Sequence, residues 1–115
     1  MNGFERLLHI SVLTLGEIRK GVVNLPASKR RANLEIWVDI ELSERFAGRI
    51  LLVDAAVADR WSILAGEAKR KGTPIGTVDG ILAATALHHN LTVVIRNVSD
   101  FRRMPAPVVN PWDPA

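Results

Sequence analysis

The sequence contains no cysteine, and this absence excludes disulfides, zinc–thiolate sites and thiol nucleophiles. It also has no long hydrophobic run. Charged residues interrupt the apolar stretches every few positions, so none approaches the ~20 residues of a membrane span. The first residues lead directly into a short alternating segment, so no signal peptide is expected. Together these absences favour a cytoplasmic protein that makes no contact with a membrane.

The chain has 115 residues, of which 48% are hydrophobic, as in ordinary globular proteins. This length suffices for one hydrophobic core and is too short for two, so residues 1–115 are predicted to form a single domain. The formal net charge is +3, a modest basic excess. By itself, this excess is only a weak indication of a polyanionic partner.

Runs of apolar residues predict an alternation of short strands and amphipathic helices. Strands are expected at Leu8–Val12, Ile50–Val53, Leu91–Ile95 and Val108–Val109. Helices are expected between them, at a segment carrying Leu15 to Leu25 and at Ser28–Ala47, Ala55–Lys71 and Val78–His89. Strands separated by helices are typical of an α/β domain built on a parallel sheet.

Several conspicuous residues have structural interpretations. Asp54 precedes a predicted helix and is better explained as its N-terminal cap than as a catalytic acid. The helical spacing of Trp37 and Trp61 assigns both to the core rather than to a stacking surface. His88 and His89 are adjacent, so their side chains point about 100° apart on a helix and cannot share one metal. Both histidines are interpreted as helix-end residues.

Side chains with oxygen atoms flank the most apolar part of the chain. The helix Val78–His89 is apolar nearly all round, yet Asp79 lies in its first turn, where the helix dipole favours an ionised carboxylate. Asn97 and Asp100 follow the next buried strand. Glu17 lies on the flank of the first helix, where a solvated glutamate is the favoured interpretation of the residue alone. Because ligands of parallel sheets bind beyond the carboxyl ends of the strands, these oxygens predict a Mg²⁺ or Mn²⁺ site.

A basic triplet, Lys29, Arg30 and Arg31, opens the second predicted helix. Cations are unfavourable at this end of the helix dipole, so the placement indicates a use other than helix stability. A solvated charged turn is the slightly favoured alternative.

Four short motifs follow one another along the chain: ISVLTLGEIRKGV at 10–22, PIGTVDGILAATA at 74–86, IRNVSDF at 95–101 and a closing NPW at 110–112. Each is weak alone, but their order and spacing together are specific. In this combination the chain resembles the PIN-domain ribonucleases, in particular the VapC-like toxins of bacterial toxin–antitoxin pairs. The resemblance extends over nearly every residue from Leu8 to Trp112.

This resemblance implies a three-layer α/β/α domain around a mainly parallel sheet, whose acidic residues bind Mg²⁺ or Mn²⁺ and hydrolyse RNA. By motif, the implied catalytic acids are Glu17, Asp79 and Asp100, and Asn97 joins them as a metal ligand. The resemblance also implies a cognate antitoxin and a homodimer as partners. The candidate residues for holding RNA phosphates are then Arg19, Lys20, Lys29, Arg30 and Arg31, with Arg102 and Arg103.

The sequence departs from the family pattern at its start. The family begins with a central strand that bears an aspartate, whereas these residues begin where the second strand is expected. An N-terminally shortened domain is therefore predicted. Such a sheet is expected to uncover apolar side chains such as those of Ile10, Val12, Val93 and Ile95, and self-association is expected to cover them.

Three functions remain open from the sequence. The first is a metal-dependent endoribonuclease toxin. The second is a catalytically impaired PIN remnant that binds an antitoxin or a second copy of itself. The third is an unrelated α/β binding module whose acids are structural, which the order of the motifs disfavours. Cleavage of RNA with and without Mn²⁺ separates the first function from the other two.

Overall fold

The computed structural model describes residues 8–94 and 105–109. The chain divides into two compact units, Met1–Leu52 and Val53–Ala115, each contiguous in sequence. The expectation that residues 1–115 form one domain stays a prediction. Within the described residues, no helix is long and apolar enough to cross a membrane.

The first unit begins with strand β1, Ile10–Ser11, which passes directly into helix α1, Val12–Val23. The strand is shorter than expected because Ser11 caps the helix: its Oγ accepts a hydrogen bond from the N–H of Leu13 at 3.1 Å. Val12, predicted to lie in the strand, is therefore helical. At the other end of the unit, strand β2, Ile50–Leu51, pairs with β1 in the predicted parallel direction.

A composite helix occupies the middle of the first unit. It consists of α2, Lys29–Ile36, a π-helical segment, Trp37–Leu42, and α3, Ser43–Arg45. Backbone angles stay right-handed helical across both junctions, so the three pieces follow one continuous course that agrees with the helix predicted over Ser28–Ala47. As in other capped helices, Ser28 Oγ accepts from the N–H of Arg31 at the start.

The π-helical segment corrects one prediction about the core. Val38 and Leu42 are buried, but Trp37 is 37% exposed. Its neighbours Ile36 and Ile40 are more exposed still. Trp37 was expected in the core from a regular helical spacing, and a π-helical turn is wider than an α-helical one. The residue therefore lies at the outer side of the composite helix.

The second unit contains helix α4, Ala55–Arg70, and helix α5, Thr77–His88. These two helices pack against each other more extensively than any other pair of described elements. Both end in the same way. At the end of α4, Gly72 adopts a positive φ of 75°, and at the end of α5, Asn90 adopts one of 56°. In each case the next residue donates back into the last turn, as in the common C-terminal motif of helices: Thr73 to Ala68 and Leu91 to Ala86.

The contact between α4 and α5 depends on a glycine. A Cβ atom on Gly80 would lie 3.0 Å from Ile75 Cδ1 and 3.0 Å from two atoms of the Trp61 indole. Small residues continue along the same helix, and Ala83 and Ala84 are fully buried, which agrees with the prediction of a buried helix. Trp61, predicted to be a core residue, is half-buried here.

A second parallel strand pair completes this unit. Strand β3, Val93–Val94, pairs with β4, Val108–Val109, with Val93 opposite Val108. The predicted strand Leu91–Ile95 extends to Ile95, which lies outside the described residues. Both described strand pairs are thus parallel, and the prediction of an α/β fold with parallel strands is confirmed.

Two glycine substitutions test the close approach of α4 and α5. Gly66→Ala in α4 adds its Cβ to open space, and it should raise the free energy of unfolding by ~0.5–1 kcal/mol through helix propensity. Gly80→Ala gains the same propensity but forces the Trp61 ring to move. It should be less stable than Gly66→Ala by ~1–3 kcal/mol, measured by urea unfolding. Equal stabilisation by the two substitutions would show that the helices are not packed this closely.

Candidate active site

Asp79 lies in the first turn of α5, three residues after the helix cap at Gly76. The cap has no side chain, so the first N–H groups of the helix receive no side-chain hydrogen bond. The half-buried carboxylate leans back toward this end: its Oδ2 lies 3.9 Å from the position of a Cβ on Gly76. Within the described part of the chain, Asp79 makes no side-chain hydrogen bond or ion pair. It is therefore a carboxylate at the positive end of a helix dipole, with no partner among the described residues.

Glu17 lies on α1 in the first unit, and its side chain is exposed. The space beside it is open, since Cβ atoms added at Gly16 or Gly21 would meet nothing within 4 Å. No described residue forms an ion pair or a hydrogen bond with the Glu17 carboxylate. This setting suits a solvated glutamate, and it equally leaves the carboxylate accessible to a ligand.

The other two predicted ligands, Asn97 and Asp100, lie outside the described residues. Over residues 8–94 and 105–109, no group of three or more His, Asp or Glu side chains is placed to hold a metal ion. The four-residue ligand set thus stays a prediction, with Glu17 in the first unit and Asp79 in the second. The second unit also has a groove, and Asp79 is not part of it. The groove is lined by Leu64, Glu67, Ala68, Lys71, Thr73, Ile75 and Pro105.

The candidate RNA-binding residues divide into two groups. Arg31 is held within the first unit, where its Nε donates to Glu35 Oε1 at 2.8 Å and its Nη1 donates to the carbonyl of Leu25 at 3.3 Å. Arg19 forms an ion pair with Asp39. In contrast, no described residue pairs with Lys20, Lys29 or Arg30, which are exposed. Arg31 and Glu35 are four residues apart on one helix, and this spacing alone predicts their ion pair from the sequence.

Comparison with known proteins identifies the family. The PIN domain family matches residues 4–107. The chain belongs to the PIN domain family. It is similar to the VapC ribonuclease Y4jK of Sinorhizobium fredii, with 36% identity over 94% of this chain and 77% of that protein. It is also similar to the toxin FitB of Neisseria gonorrhoeae, with 36% identity over 91% of this chain and 76% of that protein.

Solved structures give the same result for the fold of this PIN domain. The structure of FitAB bound to an IR36 DNA fragment matches with a TM-score of 0.89 and 34% identity, covering 95% of this chain and 76% of that one. A toxin–antitoxin complex from Klebsiella pneumoniae matches with a TM-score of 0.67 and 28% identity, covering 91% of this chain and 74% of that one. The resemblance to VapC-like toxins is thereby confirmed, and the chain is a PIN domain of the VapC-like toxin class.

Asp54 of the PIN domain is a capping residue, as predicted. Its Oδ1 accepts a hydrogen bond from the N–H of Val57 at 3.0 Å at the start of α4. That hydrogen bond is the main cause of a lowered pKa for the Asp54 carboxyl, and the charges of His88 and His89 lower it further. The two histidines end α5 with their rings edge to face, 4.9 Å apart, which agrees with their interpretation as helix-end residues.

The lowered pKa of Asp54 predicts a pH dependence of stability. Because the folded pKa lies below the ordinary value of 3.8, the carboxylate stabilises the fold above that value, and the stabilisation is lost as the pH falls through the folded pKa. Asp54→Asn keeps an acceptor oxygen but not the charge. It should lower the melting temperature at neutral pH, and its difference from the wild type should vanish in strong acid.

Asp54→Ala is the companion variant, because it removes the acceptor as well as the charge. It should melt below Asp54→Asn at every pH, since the helix then has no side-chain cap. A constant gap between the wild type and Asp54→Asn over the whole acid range would contradict the role of the charge.

Proposed function

We propose that this PIN domain is a metal-dependent endoribonuclease toxin that cleaves RNA phosphodiester bonds with a cluster of acidic residues. The observation that carries the proposal is Asp79. Its carboxylate lies half-buried at the start of a helix that is otherwise apolar, and no described residue neutralises it. Burying part of a charge without a partner costs free energy, so such a position is favoured when a cation supplies the partner.

The residue types of the predicted site fit a magnesium or manganese ion. In the proposed site, the carboxylates of Asp79, Glu17 and Asp100 and the amide oxygen of Asn97 hold the ion. All four are hard oxygen donors, and the chain has no cysteine that would favour zinc. When bound, a divalent ion activates a water and stabilises the leaving oxygen of a phosphodiester.

The basic residues that have no partner in the described part of the chain give the proposed site a way to hold the substrate. Lys20, Lys29 and Arg30 are exposed cations in the first unit, and each is long enough to reach a phosphate from the surface. Arg31 and Arg19 are already paired with Glu35 and Asp39, so they contribute less. The proposed RNA contact therefore rests on phosphate binding rather than on recognition of bases.

The proposed partners follow from the relatives. Because the chain is similar to toxins and to structures of toxin–antitoxin complexes, we propose a cognate antitoxin as its inhibitor and a homodimer as its assembly. A second candidate function is a catalytically impaired PIN remnant that binds an antitoxin or itself. The described residues contain only two of the four predicted ligands, Glu17 and Asp79, so this function stays a candidate beside the first.

Asp79→Asn tests the assignment of the metal site. The variant keeps the size of the side chain but loses the charge, so Mn²⁺-dependent cleavage of RNA should fall at least ~100-fold, the scale of losing one positioned group. The rise of melting temperature that Mn²⁺ gives the wild type should disappear as well, because a ligand stabilises only the state that binds it. Both quantities are measured with and without Mn²⁺.

The matched control for this experiment is Asp59→Asn, an exposed acid on α4. It should retain both the cleavage and the Mn²⁺-induced shift. Wild-type protein that gains stability from Mn²⁺ but does not cleave RNA would support the impaired remnant instead. If Asp79→Asn responds to Mn²⁺ as the wild type does, Asp79 is not a ligand.

The salt dependence of RNA binding tests the basic residues. Each phosphate neutralised on a single strand adds ~0.7 to the slope of log K against log salt concentration. The double substitution Lys29→Ala with Arg30→Ala should therefore lower the slope by ~1.4, two contacts at ~0.7 each. Lys69→Ala with Arg70→Ala, which removes the same charge at the end of α4, should leave the slope unchanged. An equal loss in both double variants would mean that only net charge matters.

A further inference from the structure

Trp61 is the one large aromatic side chain in the contact between α4 and α5, since neither helix carries another Phe, Tyr or Trp. It lies against Gly80, and an edge of its five-membered ring faces the backbone of α5. A Cβ atom on Gly80 would lie 3.0 Å from Cδ1 and 3.0 Å from Nε1 of this edge. The indole therefore packs on the main chain of α5, with no side chain between them.

Two side chains meet Gly80, and Trp61 is the more rigid of them. The other is Ile75, whose Cδ1 atom would also lie 3.0 Å from the added Cβ. That atom is the end of a flexible side chain in the loop before α5, so it can rotate away. The indole is a flat ring on two rotatable bonds, and it is carried by the middle of α4. Trp61 therefore sets how closely α5 approaches α4 at this point.

The contact lies on the turn that carries Asp79. Gly80 is the fourth residue of α5, and its N–H donates to the carbonyl of Gly76 at 2.8 Å, which closes the first turn. Asp79 lies within that turn, and no described residue forms a hydrogen bond or an ion pair with its carboxylate. Among the described residues, the direction of the carboxylate therefore depends on the backbone of this turn. A shift of Gly80 moves Asp79 with it.

No hydrogen bond to a described residue explains the position of the ring. The indole N–H of Trp61 is buried and has no acceptor among the residues that the structure describes. A buried donor without an acceptor destabilises the folded state, and such groups are rare enough to need an explanation. The ring is thus held against Gly80 by packing, although this placement disfavours folding. Local features of this kind are expected at functional sites.

We propose that Trp61 is a positioning residue of the proposed metal site. Its ring fixes the first turn of α5, and thereby the place from which the carboxylate of Asp79 reaches the ion. In this role Trp61 contacts neither the metal nor RNA and acts through Gly80 and Asp79. The inference rests on the proposed function and adds a residue that none of the sequence motifs contains.

Trp61→Met removes the rigid edge of the ring. Methionine is flexible and fills irregular space, so the variant keeps part of the packing but no longer fixes Gly80. The dissociation constant of Mn²⁺ should rise ~10- to 100-fold, the range typical for loss of a group that orients a metal ligand. It is measured on the full chain without RNA, from the electron paramagnetic resonance signal of free Mn²⁺.

Trp61→Phe is the conservative variant. It keeps a flat ring on the same two rotatable bonds and lacks the N–H, so it separates the effect of the ring from that of the polar group. Because the positioning depends on the ring, Trp61→Phe should bind Mn²⁺ with an affinity close to that of the wild type. A loss as large as that of Trp61→Met would contradict the role of the ring.

Leu64→Ala is the control for stability. Leu64 lies one turn after Trp61 on α4 and packs against the buried alanines of α5, and it is not among the atoms nearest to Gly80. The variant should lower the melting temperature, as Trp61→Met also does, but it should leave the dissociation constant of Mn²⁺ unchanged. Ile75→Val removes only the flexible contact with Gly80, and it should likewise bind Mn²⁺ as the wild type does.

Gly80→Ala disturbs the same contact from the side of α5 and retains the indole. The added methyl group displaces the first turn, so the dissociation constant of Mn²⁺ should again rise at least ~10-fold. Gly66→Ala, whose methyl group meets open space, should leave it unchanged. This pair of variants decides the question even when Trp61→Met does not fold.

The double variant Trp61→Met with Asp79→Asn tests whether Trp61 acts through Asp79. It should bind Mn²⁺ as weakly as Asp79→Asn alone, because the effects of two residues that share one interaction do not add. Losses that multiply would show that Trp61 acts on something other than Asp79.

RNA cleavage at varied Mn²⁺ concentration gives a second measurement. Trp61→Met should need more Mn²⁺ for half-maximal cleavage, by the same factor as its dissociation constant, and should regain the wild-type rate at saturation. Asp79→Asn should lose cleavage at every concentration. A Trp61→Met variant with a lowered rate at saturation and an unchanged requirement for Mn²⁺ would contradict the positioning role.

Failure of this inference and failure of the proposed function give different results. If Asp79→Asn abolishes Mn²⁺ binding while Trp61→Met and Gly80→Ala bind as the wild type does, the metal site stands and the role of Trp61 is wrong. If the wild type binds no Mn²⁺, or Asp79→Asn binds it equally well, the proposed site fails and the role of Trp61 fails with it. Equal losses in Trp61→Met and Leu64→Ala would also overturn that role, since stability alone would explain them.

Discussion

The close approach of α4 and α5 is the constraint on which the second unit depends. Gly80 allows it, because any larger residue would meet Ile75 and the Trp61 ring. The same contact leaves the indole N–H of Trp61 buried without an acceptor among the described residues, a cost of ~1–3 kcal/mol that the packing must offset. Asp79 is the residue directly before Gly80. Among the described residues, the position of the candidate metal ligand is therefore fixed by the packing of two helices rather than by hydrogen bonds to its carboxylate.

Much of the fold could be predicted from the sequence because its signals are local. Asp54 and Ser28 begin helices, and Gly72 ends one, each by a capping mechanism that involves only neighbouring residues. The buried course of α5 follows from its run of alanines. The prediction fails where two local signals overlap. Val12 is predicted in the strand Leu8–Val12, although Ser11, the last residue of the observed strand, also caps a helix that begins at Val12.

The remaining differences have non-local causes. A regular helical spacing places Trp37 in the core, whereas the π-helical turn moves it to the outer side of the helix. No single residue in the sequence predicts that turn. For the candidate site, the motifs indicate Glu17 and Asp79 as ligands, but the meeting of residues distant in sequence is a tertiary property that spacing cannot supply. The pairing of Arg19 with Asp39, twenty residues apart, is of the same kind. By contrast, Arg31 and Glu35 are four residues apart on one helix, and their pairing can be predicted from the sequence.

Each of the two units is contiguous, and each parallel strand pair closes within its own unit. This arrangement has a consequence for synthesis on the ribosome, where N-terminal segments generally fold first. Glu17 and the exposed cations Lys20, Lys29 and Arg30 belong to the first unit and leave the ribosome before α5 is made. Asp79 and the other proposed acids of the second unit follow them. A nascent chain therefore carries the cations proposed to hold RNA before it contains all of the acids proposed to cut it.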